Sequence, residues 1–154
     1  MCNQAKLTFR KATLQDEAQL LRMTKVLAEL EPGKIVFDVA AVSKTLRSFL
    51  DLPSFGGVWL LYENEAVAGY LVLTLGFSFE FRGHDAFIDE LYIEHAFRRR
   101  GYGRQAVKFI EEQARKMGAN ALHLEVDHGN DPARELYRRS GYEDHDRFLM
   151  TKWL

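Results

Sequence analysis

Residues 85–126 constrain the fold of this chain more than any other stretch. "DAFIDELYIE" (85–94) is apolar on both faces, as a central strand covered from two sides must be. "EHAFRRRGYGRQAV" (94–107) follows at once. A helical face of Ala106, Ile110, Ala114 and Met117 then runs to Gly118, a C-cap glycine. "ALHLEV" (121–126) alternates as a strand. Strand, helix and strand in such close order predict one right-handed parallel crossover.

The flanking sequence fills in the rest. "KLTFRKA" (6–12) alternates as a strand, and Thr13 with Asp16 marks a helix start. Leu20, Met23, Leu27 and Leu30 recur at helical spacing until "EPGK" (31–34) breaks the pattern. Asp38 can cap a second helix with Val39, Val42, Leu46 and Phe49 on one face. "VWLLYE" (58–63) and "AVAGYLVLTLGFSFEF" (66–81) read as strands around a turn at 64–65, with "RGH" (82–84) as the next turn. "NDPARELYRRSG" (130–141) is a short helix capped by Asn130 or Asp131, with Pro132 in its first turn and Gly141 at its end. "RFLMTKWL" (147–154) reads as a last strand. The expected order is β-α-α-β-β-β-α-β-α-β, α/β or α+β, in one domain over residues 1–154.

Net charge is −1, so no global field points to nucleic acid or to a membrane surface. The positive charge is local: Arg98, Arg99, Arg100 and Arg104 lie beside Gly101 and Gly103 at a predicted helix start. A helix N-terminus offers free N–H groups and a positive dipole end, and glycines let an anion approach the main chain. A solvated charged loop is the blander reading. Gly-Lys-Ser/Thr is absent there, which excludes a P-loop. Gly101-x-Gly103-x-x-Ala106 satisfies the dinucleotide fingerprint, and Glu125 mimics its ribose-binding acid. About seven residues separate strand from glycine, however, and the preceding strands are meander-like. A dinucleotide-dependent oxidoreductase therefore stands only as an alternative. Cys2 is the single cysteine, so no disulfide framework or thiolate zinc site is expected. No apolar run reaches the spanning length of about 18 residues, and a cytoplasmic location is the default expectation.

Arg98-Arg99-Arg100-Gly101-Tyr102-Gly103 resembles Arg-x-x-Gly-x-Gly, the acetyl-CoA pyrophosphate motif of the GNAT N-acetyltransferases. "NDPARELYRRSGYE" (130–143) resembles the Asn-x-x-Ala…Leu-Tyr-x-x-x-Gly-Phe/Tyr segment of that superfamily. "FIDELYIEHAFRRRGYG" is similar to its strand-four-to-helix region, especially in the polyamine and small-amine branch. The resemblance covers roughly residues 65–154, and the first 60 by element order only. It implies a mixed central sheet with strands four and five splayed around acetyl-CoA. Main-chain N–H groups from Arg99 to Arg104 would cradle the pyrophosphate. Leu91, Tyr92 and Ile93 would pair with the pantetheine arm, facing His123, Leu124 and Glu125 on the next strand. Asn130 and Ala133 would contact the cofactor, and Tyr137 falls at the general acid that protonates the CoA thiolate.

Acetyl transfer by direct attack in a ternary complex requires a neutral amine, donors for the carbonyl oxygen, a proton for the thiolate and close positioning. Asp89 and Glu90 are the candidate bases; they alternate across the strand, so one faces each side unless a bulge intervenes. A tyrosine with an ordinary pKa near ~10 suits Tyr137's acid role. Scattered histidines give no metal-ligand spacing, so no metal is expected. Glu29, Glu31, Glu80, Asp144 and Asp146 make the predicted acceptor loops acidic, which suits a cationic amine: a polyamine, an amino-sugar or other small amine, or a peptide amine. A non-catalytic acyl-CoA-binding module is the other alternative. The terminal strand is a candidate dimer edge.

Overall fold

The computed structural model describes residues 6–30 and 36–154. The expected helix break at 31–34, Glu31 and Cys2 lie outside them. Among the described residues the strands and α-helices are β1 (Thr8–Lys11), α1 (Glu17–Leu30), α2 (Val39–Leu50), β2 (Gly56–Glu63), β3 (Ala66–Ser78), β4 (Gly83–Ile93), α3 (Tyr102–Lys116), β5 (Ala121–Leu124) and α4 (Asp131–Arg139). The caps are those the sequence offers. The Asp16 carboxylate accepts from the Thr13 N–H at 2.8 Å, Asp38 from the Ala41 N–H at 2.8 Å, and Asn130 from the Ala133 N–H at 3.2 Å. Gly118 (φ 80°) ends α3 and Gly141 (φ 94°) follows α4, both left-handed.

The strands form one sheet in the order β1-β2-β3-β4-β5. The first three pairings are antiparallel, and β4–β5 alone is parallel. A doubly wound dinucleotide sheet needs successive parallel strands, so this topology removes the basis of the oxidoreductase alternative. Two apolar clusters sandwich the sheet. On one face Trp59, Leu61, Leu71, Leu73, Ala86 and Ile88 pack against Tyr102, Ala106, Ile110 and Ala114 of α3. On the other, Leu60, Tyr70 and Tyr92 pack against Leu20 and Met23 of α1, with Leu46 and Phe49 of α2 alongside.

Several expected element ends shift: β4 starts at Gly83, inside the expected 82–84 turn, and β5 stops at Leu124 rather than 126. β3 ends at Ser78 rather than 81, leaving Phe77 and Phe79 exposed beside the turn. More consequentially, the last strand is not formed: residues 147–154 pair with nothing in the sheet, and Phe148, Leu149, Met150 and Trp153 are exposed. Alternation states only that a segment fits a half-buried face; a strand also needs an edge to bond. β5 is four residues long, and Arg147 instead pairs with Glu80 beside the β3–β4 turn at 2.9 Å, leading the tail elsewhere.

Candidate active site

Two irregularities build the site. The first is a bulge in β4. The register with β3 runs Val72↔Glu90 and then Leu73↔Ile88, so Asp89 is an extra residue without a partner. Ala86 and Ile88 face α3, whereas Tyr92 faces α1 and α2, so side-chain parity flips at the bulge. Asp89 and Glu90 consequently line one cavity instead of facing opposite sides. The cavity lies between α1, α2 and the sheet. The Tyr70 hydroxyl donates to Glu90 Oε2 at 2.6 Å within it. Burial pushes the Asp89 carboxyl above its ordinary 3.8. Asp89 itself remains exposed to the cleft, which limits how far that desolvation acts.

The second irregularity is the end of the β4–β5 ladder. Pairing runs from Asp85↔Ala121 to Ile88↔Leu124 and stops. β4 continues to Ile93 while the chain leaves the sheet after Leu124, so the two strands part. Leu91, Tyr92 and Ile93 thus border an open edge, with His123 and Leu124 at the last rungs and Glu125 just past them. Of these, the Ile93 carbonyl is already engaged: Arg98 Nε donates to it at 2.8 Å. The Tyr92 ring is buried on the α1–α2 face, and its hydroxyl donates to Glu94 at 3.0 Å. His123 turns toward Asp85, 3.7 Å away, and packs beside Phe81.

The glycine-arginine loop joins β4 to α3. Arg99 (φ 60°) and Gly101 (φ 77°) are both left-handed on either side of Arg100. A non-glycine residue held there carries strain, and alternating backbone hands of this kind form anion-binding concavities. Residues 98–101 are exposed, and the first-turn N–H groups of Tyr102, Gly103 and Arg104 have no intrahelical acceptors. The loop therefore fits an anionic diphosphate. Arg100 does not reach outward freely, because it pairs with Glu63 of β2 at 3.2 Å, and the buried Tyr102 hydroxyl donates to the same carboxylate. Arg98 is drawn to Ile93 and over the Tyr92 ring.

α4 (Asp131–Arg139) approaches the start of α3 through Leu136. A Cβ on Gly103 would meet Leu136 Cδ2 at 3.0 Å, which shows how closely α4 approaches the start of α3. Tyr137 is half-buried against the α3-side cluster, its ring 5.6 Å from Tyr142. Asn130 spends its Oδ1 on the helix cap. The acid candidate thus lies on the α3 side and the two carboxylates on the α1–α2 side, with the β4–β5 gap between. Sequence reasoning did not identify Tyr70 or Glu63 as site residues; each reads as an ordinary strand position until its cross-strand partner is known. Among the described residues, no three His, Cys, Asp or Glu side chains converge to hold a metal ion. No helix among them is long and apolar enough to cross a membrane.

The chain is similar to known proteins. A family model described as the acetyltransferase (GNAT) family matches residues 24–142. YycN of Bacillus subtilis, an uncharacterized N-acetyltransferase, is 31% identical over 96 residues, 62% of this chain. The match spans 60% of that relative's length. Thialysine N-epsilon-acetyltransferase of Bos taurus is 26% identical over 145 residues, covering 88% of this chain and 84% of its own. A Clostridium acetobutylicum protein described as a predicted acetyltransferase, solved with acetyl-CoA, matches with a TM-score of 0.80 over 96% of each chain. Its identity is 17%, so that likeness is one of fold.

Proposed function

The chain belongs to the GNAT acetyltransferase family, and from that premise we propose that it moves an acetyl group from acetyl-CoA to a primary amine by direct attack in a ternary complex. The observation that carries this reading is the parting of β4 from β5 beyond Ile88 and Leu124, with an anion-ready loop at one end and paired carboxylates on one face. The pyrophosphate sits at the main chain of residues 99–104, and the pantetheine arm lies along the open edge at Leu91 and Tyr92. Asn130 and Ala133 flank it, and His123, Leu124 and Glu125 form the opposite wall.

The amine enters from the α1–α2 side. Its nitrogen attacks the thioester carbonyl carbon, the C–S bond breaks, and the amine's proton passes to Asp89 or Glu90, directly or through water. Tyr137 gives a proton to the departing thiolate. Asp89's raised pKa favours this task, since a base whose pKa lies closer to the working pH takes a proton more effectively. No covalent enzyme intermediate is part of the reading.

The acceptor is a small-molecule or peptide amine, in a cytoplasmic setting. The same reading extends to a homodimer formed through residues 147–154, whose apolar side chains stand exposed. Amine-dependent release of free thiol from acetyl-CoA tests the activity. Acetyl-CoA binding without such release would leave a binding module instead.

A further inference from the structure

The cavity beside Asp89 narrows the acceptor, on the basis of the acetyl-transfer reading above. It measures about 220 Å³. Its walls are mainly Leu20 and Leu21 of α1, Val42, Leu46 and Phe49 of α2, and Val72 of β3. Thr24, Tyr70, Thr45 and Thr74 also line it; the Thr24 hydroxyl donates to the Leu21 carbonyl at 3.1 Å, the Tyr70 hydroxyl donates to Glu90, and Thr45 stands at the exposed rim. Among the described residues, the only charged groups lining it are Asp89 and Glu90, neighbours at the bulge. An apolar cavity of roughly 150 Å³ lined by Leu, Ile and Phe accepts benzene. This one has room for a ring or an alkyl group of similar bulk.

Of the acidic side chains that suggested a cationic acceptor, the four among the described residues are elsewhere. Glu80 pairs with Arg147 at 2.9 Å and Asp144 with Arg138, and neither lines the cavity. Glu29 and Asp146 are exposed outside it. A second ammonium held within the cavity would rest mostly against leucine, valine and phenylalanine, where an unpaired cation is strongly disfavoured. We propose that the acceptor is a primary monoamine on a compact apolar body about the size of one aromatic ring. The body lies between α1 and α2, and the amine meets Asp89 and Glu90. Phe49 and Leu46 set the specificity.

Thiol release measured with 2-phenylethylamine, 1,5-diaminopentane, spermidine and the α-amine of a short peptide tests this. The expected kcat/KM for 2-phenylethylamine exceeds each of the others by about tenfold or more. Phe49→Ala should raise its KM about tenfold with acetyl-CoA affinity unchanged. Thr45 is exposed at the cavity rim, so Thr45→Asp adds a carboxylate without disturbing the core. That variant should raise kcat/KM for 1,5-diaminopentane by about tenfold. Faster acetylation of spermidine, the diamine or the peptide by the wild-type chain would overturn the assignment and leave acetyl transfer standing. Acetyl-CoA binding with no thiol release from any amine would overturn the acetyl-transfer reading itself.

Discussion

Asp89 occupies an unfavourable place for a carboxylate, an unpaired bulge position against apolar walls. Its folded pKa lies above its unfolded one, so the stability it contributes is full at low pH and declines as pH rises through the folded value. At neutral pH the ionised group therefore costs stability. Asp89→Asn should raise the Tm at pH 7, and that gain should shrink as the pH falls below the folded pKa. The same variant should lose activity and the acid limb of the kcat/KM profile, a limb lying above the ordinary 3.8 of aspartate. An unchanged profile in both Asp89→Asn and Glu90→Gln would make water the base. Tyr137→Phe should lower kcat by about 100-fold or more, the usual scale of a general acid, with acetyl-CoA affinity retained. Full activity in that variant would remove Tyr137 from the mechanism. Both carboxylates were legible in the sequence as candidates; that they share a face was not, because a bulge is a property of two strands together.

The decisive element is the loop from Arg98 to Gly101 with the start of α3. Its glycine spacing was readable, and so was the helix that follows. The left-handed Arg99 was not, and neither was the tether of Arg100 and Tyr102 to Glu63, which depends on β2, 37 and 39 residues away in sequence. That tether predicts a structural cost. Glu63→Ala leaves a buried tyrosine hydroxyl without its acceptor, worth about 1–3 kcal/mol. For a domain of this size that is a fall in Tm of roughly 2–12 °C. Acetyl-CoA affinity should weaken in parallel as the loop loosens. A Glu63→Ala chain with unchanged Tm and affinity would show that the tether is incidental. Gly103→Glu should weaken acetyl-CoA binding by about 100-fold or more, from the added charge at the cradle and from the contact with Leu136.

At the scale of the whole molecule, the crossover of residues 85–126 and the two-sided cover of β4 followed from the hydrophobic pattern. The ends of elements did not: β5 stops at Leu124 and the 147–154 segment does not join the sheet, because strand length is set by available edges rather than by alternation. The exposed tail makes a chain ending at Asp146 informative. Light scattering should show a dimer for the full chain and a monomer for the shortened one; identical masses would separate the tail from self-association. The central claim is that the gap between β4 and β5 brings acetyl-CoA and an amine together for transfer. Mass spectrometry of an amine incubated with enzyme and acetyl-CoA, with free thiol followed in the same samples, tests it most directly. The expected result is one acetyl group gained by the amine for each thiol released. Acetyl-CoA bound with neither product formed would contradict it.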